Sequence, residues 1–373
     1  MIAPLPERLL DRSLPAPGLL AQILVAKYCN HLPLYRQEQI FAQRHGVHLP
    51  RHTLARWVEM AAQWLQPIYD QIRTGVLAGG YVQADETPIE YLEPGHGRTK
   101  LGYLWTGTRP GGDVFYRWET SRAAACLENV ISVDFKGTVQ CDGYAAYRAF
   151  ANNRGSTIEL AGCWAHVRRK FHESLEQSPR SSGWFMRQIQ HLYQIEARLR
   201  ESRAGIPLRA AARAHQSKPI VERIRKALVA LKGRGRHLPQ SLLGQAIDYT
   251  LGQWSTLEVY LKDGRVEVDN NSVENAIRPT AIGKKNWLFV GQADAGDRGA
   301  IVYHGDRELP SPGPGSLLLP ARSAHPLAQH DQSPNPRSHP CCLGQSKARS
   351  GKGVINVIAD LLSRLRYPAI GLS

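Results

Sequence analysis

The stretch Val82–Tyr91, VQADETPIEY, sets Asp85, Glu86 and Glu90 among Val82, Ala84, Ile89 and Tyr91, in a chain whose formal net charge is +15. Its apolar and aromatic residues follow the Gly79-Gly80 pair and read as a strand. A solvated strand face with a turn at Pro88 accounts for any one of these carboxylates. Working outward, LGYLWTGTR (101–109) and DVFYRWE (113–119) have the same β-branched and aromatic character, with Gly and Pro between them. GTVQC (137–141) runs into Asp142, and STIELAGCWAHV (156–167) supplies a further strand. Several neighbouring strands imply one mixed sheet.

Helical periodicity flanks this region. Apolar residues recur at three and four spacings in LLAQILVAKY (19–28) and LARWVEMAAQWL (54–65). Between them a helix ends near Gly46 and another starts around Arg51, the layout of a helix-turn-helix, although a plain helical hairpin fits the same pattern. If the second helix reads DNA, Arg51, His52, Thr53 and Arg56 occupy its exposed start. From Ser174 to about Leu261 the chain is mostly amphipathic helix with basic outer faces, either solvated or tracking a phosphate backbone. Between Pro310 and Pro340 fall eight of the 24 prolines, without apolar periodicity, and by composition this tail is disordered.

A chain of 373 residues with 42% hydrophobic content has room for two or three domains and excludes collagenous, coiled-coil and fully disordered classes. The positive charge makes an acidic polymer the first partner to consider. Six cysteines without a C-x-x-C pair or zinc-site spacing read as reduced thiols. No run approaches the roughly 18 apolar residues of a membrane span, and the start lacks a secretory pattern, so a cytoplasmic location and no membrane partner are expected.

Three acidic residues stand out by context: Asp85 in the first strand, Asp142 at a strand end, and Glu274 just inside a helix opened by Asn270, Asn271 or Ser272. Carboxylates on adjacent strands, with a third from a returning helix, build an oxygen-rich site suited to two Mg²⁺ ions and phosphoryl transfer. Each residue alone has a structural explanation: a turn residue before Gly143, a first-turn acid favoured by the helix dipole, an exposed strand carboxylate. Glu86 rivals Asp85, and strand alternation does not choose between them.

The blocks QADETP (83–88), QCDGYAAY (140–147), GCWAHVRRKF (162–171) and DNNSVENAIRPTAIGKKNWLFVG (269–291), in this order, resemble the catalytic core of the insertion sequence 66 family of bacterial transposases. The resemblance covers roughly Ala3 to Tyr303. It implies a DDE transposase of α/β class: an RNase H-like mixed sheet with flanking helices, an all-α insertion, an N-terminal helical region and a disordered C-terminal tail. The corresponding segments are 1–78 (helical, with the possible helix-turn-helix), 79–173 (first part of the core), 174–264 (insertion), 265–303 (last part, carrying Glu274) and 304–373 (tail). Carried over by motif, Asp85, Asp142 and Glu274 are the metal ligands, for two Mg²⁺ ions that Mn²⁺ can replace. His166 and Arg169 fall in a block that lines the site, a hydrogen-bonded core role for His166 being the alternative. Asn271, Arg278, Lys284 and Lys285 flank the glutamate, where they orient it, grip phosphate, or serve as a cap and solvated lysines.

The activity implied is hydrolysis at transposon ends to free a 3′-hydroxyl, followed by its attack on target DNA. Terminal repeats and target DNA are then the partners, with a homo-oligomer on DNA and accessory element-encoded proteins. The alternative is a DNA-binding remnant without catalysis. Against the family pattern the chain reads as lacking an N-terminal zipper-like, Cys-containing region. Codons chosen for Leu309–Gln332 and read one base later give a line like the family's C-terminal ending, so a frameshift after about Tyr303 is expected.

Overall fold

The computed structural model describes residues 15–235 and 238–304, and everything from Gln22 onward among them belongs to one compact unit, Gln22–Glu308. The Pro-rich tail and its expected frameshift fall outside the described residues. Helices α1 (Pro17–Tyr28), α2 (Leu34–His45) and α3 (Arg51–Leu77) lead into strands β1 (Tyr81–Leu92), β2 (Thr99–Thr108) and β3 (Val114–Glu119). Then come α4 (Ala124–Val130), β4 (Gly137–Gln140), α5 (Ala145–Arg154), β5 (Ile158–Ala161) and α6 (Trp164–Glu173). The insertion holds α7 (Pro179–Glu201), α8 (Ile206–Ala212), a π-helical turn (Arg213–Ser217), α9 (Lys218–Gly233), α10 (Leu242–Gly252), α11 (Trp254–Leu257) and α12 (Val259–Lys262). The chain returns through α13 (Asn271–Trp287), β6 (Phe289–Gln292) and α14 (Ala293–His304).

The sheet is mixed, in the order β3-β2-β1-β4-β5, with β6 also pairing with β1. β2 and β3 form antiparallel ladders from β1 outward, while β4 and β5 run parallel to β1 on its other side. Short turns join the antiparallel strands, whereas each parallel strand is reached by a helical crossover, as parallel pairing demands. Val82 and Ala84 of β1, Trp105, Phe115 and Val139 share one buried cluster with Tyr69 and Val76 of α3 and Tyr147 and Phe150 of α5. A second cluster joins α6 to the insertion: Trp164, Val167 and Phe171 pack with Phe185, Ile189, Leu192, Ile224 and Leu228.

One reading from the sequence changes here. The strand expected through Val167 ends at Ala161, because Gly162 passes against Leu257 and Thr256 and the Trp164 N–H bonds to Val268 O, starting α6 instead. The second helix of the helix-turn-helix layout is 27 residues long. One face of it is buried along its length, and Arg51, His52 and Arg56 are exposed in its first turns.

The insertion is fastened by a buried ion pair. Arg213, fully buried, donates to Glu196 through Nε (2.7 Å) and Nη2 (2.8 Å), and through Nη1 to the carbonyls of Tyr260, Asp263 and Val266. Arg209 links Glu196 to Glu267. Burial pushes the Glu196 carboxyl up, but the bonds and charges of Arg213 and Arg209 outweigh it and hold it below the ordinary value. This chain of charges ends on residues 263–267, the segment that leads into α13.

Candidate active site

Gln83 of β1 lies opposite Gln140, the last residue of β4, in the parallel register; Asp85 follows two residues on within β1, and Asp142 two residues on, just past the end of β4. Alternation along β1 puts Asp85 on the face of Gln83, and that face meets the start of α13. Gln83 Nε2 donates to Asp269 O at 2.9 Å, and its Oε1 accepts from the Val273 N–H at 3.3 Å. Glu274 is the next residue. Asp142 sits where β4 gives way to a tight turn: the Tyr144 N–H donates to its Oδ1 at 2.8 Å, and the Tyr249 hydroxyl of α10 to its carbonyl at 2.7 Å. Gly143 follows at φ 89°, where a side chain would be strained and a Cβ would meet Gln253.

The rival strand acid is accounted for on the opposite face. Glu86 is buried and accepts from Arg122 Nε at 2.5 Å and from the Tyr147 hydroxyl at 3.1 Å. Asp85 has no counter-cation of this kind. Burial, and then the carboxylates of Glu86, Asp142 and Glu274, push its carboxyl up to about 8, although a bond from the Glu86 N–H opposes the rise. The three carboxylates therefore lie within electrostatic reach of one another.

α6 brings two more side chains to Glu274. His166 Nε2 lies 3.8 Å from Glu274 Oε1, and Arg169 Nη2 lies 3.9 Å from Oε2. Burial lowers the His166 pKa despite the opposing carboxylates of Glu274 and Asp142. Its Nδ1 and Glu274 Oε1 are both buried without a hydrogen-bond partner, so a core role satisfied by hydrogen bonds does not describe this histidine. The first N–H of α13 is bonded by the side chain of Asp269, which also accepts from Asn271 Nδ2; Asn270 flanks the helix without a capping bond.

The remaining predicted residues lie further off. Arg278 is exposed one turn along α13 on the face of Glu274, and Lys285 is exposed near the helix end. Lys284 reaches back to β1, donating to Thr87 Oγ1 and Pro88 O. Arg51 pairs with Glu38 at 3.9 Å, and Thr53 is half-buried. Arg51 and His52 line a cleft of about 520 Å³ shared with Asn286–Gln292, about 18 Å along α13 from Glu274 by helical rise.

Hard oxygen donors are what Mg²⁺ requires, and the unpartnered Glu274 oxygen with the mutual repulsion at Asp85 suits a bound cation. Among the described residues, however, no three His, Cys, Asp or Glu side chains are drawn together as a ligand group. The carboxylates converge on one region without closing on a shared point.

Sequence reasoning missed the polar clamp behind this site. Gln83 and Gln140 are fully buried, both bond the Tyr81 hydroxyl or each other, and Gln140 Nε2 also donates to Gly162 O and Glu267 O. The signal was a repeated Q-x-D spacing, Gln83-Ala84-Asp85 and Gln140-Cys141-Asp142.

Comparison with known proteins adds a family. Residues 12–298 match the family described as Transposase IS66 family. Two uncharacterized proteins of Sinorhizobium fredii, y4jD and y4qI, are each 38% identical, over 317 and 314 residues covering 81% and 80% of this chain. A third, y4hP, is 30% identical over 325 residues. The chain spans 57–60% of the length of these relatives. Among the described residues no helix is long and apolar enough to cross a membrane.

Proposed function

Since the chain belongs to the IS66 family of transposases, we propose that it is a DDE transposase with an RNase H-like core whose site is Asp85, Asp142 and Glu274. The observation that supports this reading is the Gln83–Gln140 register, from which Asp85 follows within β1 and Asp142 just past β4, together with the bonds that tie the helix of Glu274 to Gln83. A mixed sheet, six-stranded among the described residues, with β1–β3 antiparallel and β4, β5 and β6 parallel to β1, suits the RNase H-like description.

Asp85, Asp142 and Glu274 would hold two Mg²⁺ ions. When bound, these would supply Lewis-acid activation of a water or 3′-hydroxyl and charge neutralisation at the phosphodiester. The chain's own contributions follow from its geometry. Glu86 is paired with Arg122 and Tyr147 on the opposite face of β1, which leaves Asp85 as the strand donor. His166 and Arg169 fix the Glu274 carboxylate from α6, and a basic surface around the acidic site draws in DNA. Terminal repeats and target DNA are the substrates, and assembly as a homo-oligomer on DNA belongs to the same reading.

The test is strand cleavage by the full chain on DNA carrying the element's own ends, with Mg²⁺ or Mn²⁺, beside Asp142→Asn. Cleavage that disappears in the variant is the expected result. DNA binding with no cleavage by either protein would instead make the chain a non-catalytic remnant.

A further inference from the structure

Beside Glu274, on the insertion side of α6, lies a cavity of about 440 Å³ lined by Ala165, Arg168, Arg169, His172, Tyr193 and Asn271. Its walls come from α6, from α7 of the insertion and from the start of α13. Arg168 and His172 are exposed and engage in no side-chain hydrogen bond or ion pair among the described residues. The Tyr193 hydroxyl is buried beside Asp269. Burial, then the charge of Asp269 and a side-chain hydrogen bond with it, hold this hydroxyl protonated, while Asp269 also accepts from the N–H and Nδ2 of Asn271. Arg169 belongs to both places, forming part of the wall while its Nη2 lies 3.9 Å from Glu274 Oε2.

We infer that this cavity is a phosphate subsite: it holds a backbone phosphate of the DNA strand next to the one presented to the acidic site. The inference rests on the DNA-processing reading above and adds to it that the helical insertion, through Tyr193, takes part in gripping substrate. The chemistry is specific. Arg168 and Arg169 offer guanidinium donors suited to phosphate oxygens, Tyr193 supplies a protonated O–H in the wall, and Asn271 supplies an amide at the mouth of a helix. An unpaired arginine on a flat, solvated face would need no such account. Here the guanidinium borders a concavity with a second arginine and a histidine in its wall, and that second arginine, Arg169, lies 3.9 Å from the Glu274 carboxylate.

The test is DNA binding by the full chain without divalent metal, followed by anisotropy of a labelled random-sequence duplex across a salt series. Removing one phosphate contact lowers the slope of log K against log salt by about 0.9, which is about eightfold in affinity at about 0.1 M salt. Arg168→Gln is expected to show that change, Arg168→Lys to keep most of the slope, and Tyr193→Phe to weaken binding without altering the slope. Lys226→Gln, an exposed position on α9, serves as the control for loss of any one charge. If Arg168→Gln and Lys226→Gln bind alike while the wild type binds well, the subsite is wrong and the DNA-processing reading stands. No binding by the wild type at any salt would overturn both.

Discussion

Asp85 sits inside a hydrogen-bonded ladder, with β2 on one side and β4 beginning the parallel half on the other, whereas Glu274 stands on a helix whose first turn is tied to that ladder by side-chain bonds across 186 and 190 residues of sequence. The strand carboxylates inherit their positions from backbone pairing. The helical one depends on buried glutamines and, behind them, on the ion pair that fastens the insertion to residues 263–267. The difference teaches that the site has a locally determined half and a remotely determined half. Damage far from the carboxylates should therefore disturb Glu274 before it disturbs Asp85 or Asp142.

The strongest way to break this comparison is Arg213→Leu. It leaves Glu196 buried without its partner, a loss of about 3–5 kcal/mol in a denaturant melt, and the double change with Glu196→Leu should recover much of it. Hydrogen exchange should show residues 263–274 losing protection while β1–β3 keep theirs. The same pair sets a pH dependence. The folded pKa of Glu196 is depressed, so its contribution is complete above the ordinary glutamate value and is lost as pH falls through the depressed one. Wild-type stability should therefore drop on the acid side of that value, and the double variant should show a smaller drop. Equal acid sensitivity of the two proteins would remove the ion pair from the account.

Gln83→Leu should cost less, about 1–3 kcal/mol for the buried groups it orphans. Its effect on cleavage should be larger than its effect on folding, about 10–100-fold, as for residues that orient a ligand from behind. Gln83→Glu, which retains an acceptor for the Val273 N–H, should recover part of that activity. If Gln83→Leu slows cleavage no more than it lowers the folded fraction, the clamp is structural only.

Much of the locally determined half was legible in the sequence. VQADETPIEY and GTVQC read as strands because β-branched and aromatic residues and glycine boundaries are local signals, and the aspartates came with them. What distinguishes the surroundings of Asp85 and Glu86 was not legible, since the Glu86 partners Arg122 and Tyr147 lie 36 and 61 residues away. The break of β5 at Ala161 was hidden for the same reason: Gly162 meets Leu257, and Trp164 bonds Val268, both across the whole insertion. Arg213 read as one more basic residue on an amphipathic helix. Only the fold shows that it points inward, at a π-helical turn, onto a glutamate 17 residues earlier.

The most direct measurement is a Mn²⁺ titration of the full chain, comparing the wild type with Asp85→Asn, Asp142→Asn, Glu274→Gln and Glu86→Gln. The account predicts that each of the first three weakens Mn²⁺ binding by about tenfold or more, and that Glu86→Gln, whose side chain is paired with Arg122 on the opposite face of β1, leaves it within about twofold. Unchanged binding in Asp85→Asn, or a loss in Glu86→Gln as large as in Glu274→Gln, would contradict a single centre built from Asp85, Asp142 and Glu274.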